Sequence, residues 1–115
     1  KLDLQPGDHV LDIGCGWGGL PKFLAENFGC RVTGINLAQH HIDFAQKNMP
    51  HKNVKVIKLD YRDIQDKYDK IYCIGVSEHF GLHNYKQFMH IVHNHMKPNG
   101  IFLLHTIGEN VTRPQ

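Results

Sequence analysis

The sequence predicts an α/β fold, a doubly wound and mostly parallel sheet of about five strands, and three features carry that expectation. Short apolar runs alternate along the chain with segments whose apolar residues recur at helical spacing. The first run ends in an acid and closely spaced glycines, Val10-Leu11-Asp12-Ile13-Gly14-Cys15-Gly16-Trp17-Gly18-Gly19, as a buried strand does when it turns sharply into a helix. The unusual polar residues Asp12, Asn36, Asp60, Glu78 and His105 fall at or near strand ends, where a doubly wound sheet has its ligand crevice.

Taken in order, Leu4-Gln5-Pro6-Gly7-Asp8 is a turn that delivers the chain to a first strand at 9–13, apolar enough for a central position. A helix over 17–28 follows, with Leu20, Phe23, Leu24 and Phe28 at helical spacing and Gly29 as its stop. Pro21 lies in its first turn, where a missing N–H costs nothing. The second strand spans 31–37, and a helix at 39–47 turns Ile42 and Ala45 inward before Asn48-Met49-Pro50 ends it. A third strand at 54–59 and a short segment at 61–68 lead to a fourth strand at 70–76. The helix at 84–96 carries Tyr85, Phe88, Met89, Val92 and Met96 on one stripe, Pro98-Asn99-Gly100 stops it, and 101–107 is the fifth strand.

At 115 residues the chain is a single domain, and its 41% apolar and 21% charged composition is that of an ordinary globular protein. No apolar run approaches the ~20 residues of a membrane span, so a membrane substrate would be reached from the surface. A formal charge of +2 with both signs interspersed gives no footprint for nucleic acid. Cys15, Cys30 and Cys73 are odd in number and far apart, which suggests neither a disulfide framework nor a zinc site and fits a reducing cytoplasm. Among ten histidines, His79 and His83 are four apart and His90, His93 and His95 cluster, yet no Cys or carboxylate completes a ligand set, so no metal is expected. The abrupt start at Lys1 and end at Gln115 read as the ends of a segment excised from a longer chain.

The glycine stretch fits two ligands. Gly14-x-Gly16-x-x-Gly19 matches the dinucleotide fingerprint, and Gly14-x-Gly16-x-Gly18 matches the loop of S-adenosylmethionine (SAM) methyltransferases. Asp12 favours the second, because a carboxylate at the strand end can bond loop amides and a ligand ammonium group, whereas it would repel a pyrophosphate. In a purely structural role, Asp12 would only cap the turn.

With Asp60-Tyr61-Arg62-Asp63, Ser77-Glu78-His79-Phe80-Gly81 and Leu103-Leu104-His105-Thr106-Ile107-Gly108 added to the glycine stretch, the sequence resembles the cyclopropane-fatty-acyl-phospholipid synthase family of SAM-dependent enzymes, which includes the mycolic acid cyclopropane synthases. The likeness runs over nearly the whole chain. It implies a Rossmann-like methyltransferase core in which Gly14, Gly16 and Gly18 floor the SAM site, Asn36 and Leu37 meet the ribose and adenosine, and Asp60 and Tyr61 flank the adenine. His41 stands where the family commonly has Gln, and Asn36 where many SAM sites have an acid and this family often has Thr. The chemistry implied is transfer of a methylene group to cis double bonds of phospholipid acyl chains, with bound bicarbonate as the base that takes the final proton. Glu78 and His105 would hold that anion with backbone groups near Ile74 and Ile107. A Cys upstream and a Tyr downstream that the family uses have no counterpart here, which implies that the segment alone lacks turnover. Peripheral contact with the inner membrane face rests on the resemblance alone, and the oligomeric state is left open.

Other readings stay open at this stage. They are a SAM-dependent C- or N-methyltransferase of a small molecule, a SAM-binding module without turnover, and an NAD-binding oxidoreductase, which Asp12 and Asn36 disfavour.

Overall fold

His9–Ile13 forms β1 at the centre of a five-stranded sheet ordered β3-β2-β1-β4-β5, in which every neighbouring pair is parallel. The computed structural model describes residues 4–14, 18–74 and 85–105. Around β1 the chain runs through α1 (Gly19–Phe28), β2 (Arg31–Asn36), α2 (Gln39–Asn48), β3 (Val54–Lys58), a 3-10 turn (Tyr61–Asp63), β4 (Tyr68–Ile74), α3 (Tyr85–Asn94) and β5 (Met96–His105). The strand order reverses between β1 and β4, so the crevice of a doubly wound sheet opens beyond the carboxyl end of β1.

The two-residue period of each strand divides the core between the faces. Val10, Val32 and Tyr72 pack with Leu24 of α1 and with Cys30, while Val56 packs with Ile42 and Ala45 of α2. On the other face Leu11, Ile13, Ile35, Ile71 and Cys73 meet Ile64 and the Phe88 and Val92 stripe of α3. Each such aliphatic side chain contributes about 2 kcal/mol by leaving water, which makes the sheet and not helix propensity the source of order.

At the amino edge of the sheet, polar groups tie the strands together. Lys70 Nζ is 2.8 Å from Asp8 Oδ2, and the His9 backbone N–H donates to Asp69 Oδ2 at 2.8 Å. At the carboxyl edge, backbone bonds from Gly14 N to Ile35 O and from Leu59 N to Asn36 O carry the ladder past the strand ends.

The sequence reading agrees with β1 throughout and with the other early elements to within a residue or two at their described ends. It fails around α3 and β5. Met96 is not the last residue of the helical stripe. The helix closes at Asn94, and Met96 opens β5 opposite Tyr68. Pro98-Asn99-Gly100 likewise does not separate two elements. It forms an irregularity inside β5, where the step from Tyr68 to Lys70 on β4 is matched by the longer step from Met96 to Ile101. Pro98 needs no ladder partner there, Asn99 takes φ 69, and a Cβ at Gly100 would lie 2.5 Å from Met96 Cγ. β4 also starts earlier than expected, at Tyr68. No helix among the described residues is long and apolar enough to cross a membrane.

Candidate functional site

Asp12 sits one residue before the end of β1 and is only 3% exposed. Parallel pairing of β1 with β4 sets it directly opposite Tyr72, whose hydroxyl donates to Asp12 Oδ2 at 2.6 Å. Burial drives the Asp12 carboxyl up to about 7, and the Tyr72 hydrogen bond pulls it down against that push. A buried carboxylate whose described partner is a neutral phenol has acceptor capacity for a cationic group at the strand end. Burial, reinforced by the Asp12 charge, pushes the neighbouring Cys73 thiol up to about 12, and Cys73 packs within the core.

The turn after β1 begins with Gly14 at φ 78, a left-handed conformation that a side chain would strain. Gly18, at φ 86, is the N-cap residue of α1. Gly16 lies outside the described residues.

At the end of β2, Asn36 Oδ1 accepts from Ala38 N at 3.0 Å, and its Nδ2 stands 3.3 Å from His41 Nδ1. The amide thus folds the loop into α2, whose N-cap residue, Ala38, offers no side-chain cap of its own. Leu37, between them, is 60% exposed and presents an apolar surface at the strand's carboxyl end. The structure therefore gathers Asn36, Leu37 and His41 into one corner.

After β3, Asp60 caps the 3-10 turn by accepting from Arg62 N at 2.9 Å. The Arg62 guanidinium also grips it, with Nε 3.1 Å from Oδ1 and Nη2 2.9 Å from Oδ2. That hydrogen bonding holds the Asp60 carboxyl below the usual carboxylate range. Tyr61 packs edge-on against Phe88 at 5.1 Å between ring centroids, at the margin of the core. Its ring therefore has a structural role.

On the other side of β1, the register pairs Ile74 with His105 at the carboxyl ends of β4 and β5. Glu78 and Ile107 lie outside the described residues. Two residues escaped the sequence reading. Arg62, two positions after Asp60, is visible as an i,i+2 pair. Tyr72 becomes visible only when β4 is laid in parallel register beside β1. A cleft of about 640 Å³ on the opposite face, lined by His9, Thr33, Lys55, Asp66 and Tyr68 among others, holds none of the expected site residues.

The carboxyl edge thus presents a buried anion, a glycine turn, an amide beside an exposed Leu, and an acid beside an aromatic, in the order of β1, β2 and β3. That set of acceptors, with an amide and an aromatic ring, suits a ligand carrying an ammonium group, a sugar and a base.

The chain matches the family described as mycolic acid cyclopropane synthetase over residues 1–115. It is 44% identical over 112 residues to cyclopropane-fatty-acyl-phospholipid synthase of Escherichia coli, covering 97% of this chain and 29% of that protein. It is 35% identical to sphingolipid C9-methyltransferase 2 of Gibberella zeae, over 94% of this chain and 22% of that one. A crystal structure of a mycolic acid cyclopropane synthase complexed with SAH and CTAB superposes with a TM-score of 0.84 at 31% identity, over 90% of this chain and 38% of that one. The chain spans less than a third of the Escherichia coli relative's length.

Proposed function

The chain belongs to the mycolic acid cyclopropane synthetase family, and from that premise we propose that it is the SAM-binding core of a longer enzyme that adds a methylene group across cis double bonds of phospholipid acyl chains. The observation that carries the cofactor half of this reading is the succession of Asp12, Asn36–Leu37 and Asp60–Tyr61 on the carboxyl ends of three adjacent strands. Asp12 and the Gly14–Gly18 turn would receive the amino-acid part of SAM, Asn36 the ribose, and Leu37 and Tyr61 the base, with Asp60 accepting from an exocyclic amine. When bound, SAM supplies an electrophilic methyl group.

This chain's residues then have to hold the alkene in line with that methyl, keep water out, and provide for removal of a proton from the substrate carbocation as the ring closes. The reading assigns the last task to a bicarbonate held by His105, Glu78 and the backbone near Ile74 and Ile107. The adjacency of Ile74 and His105 supports it. The same core could act on lipid by methyl transfer without ring closure, a reading favoured by the likeness to the sphingolipid methyltransferase.

The test is mass spectrometry of monounsaturated phospholipid vesicles incubated with SAM, bicarbonate and the full-length parent protein. We expect a gain of one CH2 per acyl chain that survives mild hydrogenation, with turnover dependent on bicarbonate. A CH2 gain that still hydrogenates as an alkene would replace cyclopropanation by methyl branching. SAM binding with no change in lipid mass would shift the substrate to a small molecule.

A further inference from the structure

We propose that Tyr72 is a positioning residue of the cofactor site, its hydroxyl at 2.6 Å favouring the charged form of the Asp12 carboxylate and orienting it toward the ammonium group of SAM. The inference rests on the reading of Asp12 as the cofactor's anionic contact, and goes beyond it by assigning a task to a residue of another strand.

The geometry is specific. Tyr72 is 1% exposed and stands opposite Asp12 in the β1–β4 register, so its ring is clamped in the core and its hydroxyl has little freedom to leave the carboxylate. The hydroxyl takes Oδ2, which restrains the rotation of the carboxylate.

The surroundings contain little else that could do this. β2 offers Gly34 as Asp12's other cross-strand partner. The buried residues of α1 (Pro21, Leu24, Ala25) and of α2 (Ile42, Ala45) are not titratable. On the same face of β4, Lys70 is engaged by Asp8, and Cys73 follows Tyr72 on the far face with its thiol protonated. Among the described residues, Tyr72 is thus the group that favours the charged form of Asp12 against burial.

A phenol is suited to the task. It donates one short hydrogen bond to an anion and adds no charge that would compete with an incoming cation.

The test is isothermal calorimetry of SAM binding to the full-length protein and to Tyr72→Phe, from about pH 6 to about pH 9, with the Asp12 pKa read in parallel by carboxyl NMR of unliganded protein. Phe keeps the buried ring, so packing is retained. Tyr72→Phe is expected to raise the Asp12 pKa by about one unit, weaken SAM about fivefold at pH 7, and return to within about twofold of wild type at pH 9. Asp12→Asn is expected to remove this pH dependence and make a second substitution at Tyr72 silent.

An Asp12 pKa that does not move in Tyr72→Phe overturns the proposal, as does a loss of SAM affinity that is equal at every pH. The NMR arm needs no cofactor. Failure of wild type to bind SAM at any pH while the Asp12 pKa shifts as expected would overturn the cofactor reading and the orienting role that depends on it, leaving only the effect on ionisation.

Discussion

Gly18 lies so close to Ala45 that a Cβ built on it would fall 2.6 Å from the Ala45 Cβ. The contact joins the start of α1 to the middle of α2, and Gly18 is held at φ 86, where a side chain is strained whatever the space. Gly18 is therefore required by helix packing independently of any ligand. Gly18→Ala is expected to destabilise the protein by about 2–4 kcal/mol. Gly19→Ala, whose Cβ would meet nothing within 4 Å, should be neutral or slightly stabilising. Urea unfolding of the two variants compares them directly, and equal effects would refute the packing argument.

Asp8 and Lys70 form a largely buried ion pair at the amino edge of the sheet, with side chains 14% and 10% exposed. Asp8 Oδ2 also accepts from Gln5 N at 3.0 Å, closing the turn that leads into β1. Removing Asp8 strands an ammonium group and opens the turn, whereas removing Lys70 leaves the carboxylate with its backbone donor. Asp8→Ala is expected to cost about 3 kcal/mol and Lys70→Met about 1 kcal/mol. Thermal unfolding would count against this account if the order were reversed.

Asp69 provides the acid-sensitive part of the same edge. Its Oδ2 accepts from His9 N, and that bond, followed by the nearby Lys97 charge, outweighs burial and holds its carboxyl below the usual carboxylate range. A depressed carboxyl contributes stability that is present above its unfolded pKa and is lost as pH falls through its folded value. At neutral pH, Asp69→Ala should cost about 1–2 kcal/mol. Below about pH 4 the wild type should lose stability toward the variant, so the gap narrows. Urea midpoints measured across that range check the sign, and a gap that widens on acidification would contradict it.

How much of this was legible beforehand depends on which interactions set each feature. β1 could be read because an apolar run bounded by Pro-Gly and by a glycine turn admits one placement. Met96 misled because it continues the Phe88, Met89, Val92 stripe at helical spacing, while its pairing with Tyr68 is a long-range event that periodicity cannot register. Asp12, Asn36 and Asp60 were recognisable as strand-end polar residues, but the partner of Asp12 was not, and the sequence showed Arg62 beside Asp60 without its grip. Tyr72 comes from another strand, and the grip of Arg62 on Asp60 depends on the backbone closing a 3-10 turn. The role of Gly18 was read from the motif alone, and its contact with Ala45 emerges only when two helices lie on one face.

Asn36 offers the sharpest separation of fold from function, because a single amide is asked to do both. Its Oδ1 closes the loop into α2 by accepting from Ala38 N, and the proposed ribose contact would use the same side chain from the carboxyl edge of β2. Asn36→Ala loses both roles and should cost about 1 kcal/mol in stability and about tenfold in SAM affinity. Asn36→Asp keeps an acceptor for the Ala38 N–H and gains a carboxylate able to accept from both ribose hydroxyls, so stability should hold while SAM binds at least as tightly as in wild type. Calorimetry of SAM binding alongside urea unfolding separates the two effects. If Asn36→Ala loses stability yet binds SAM as tightly as wild type, Asn36 serves the turn alone, and the ribose must be held from another strand.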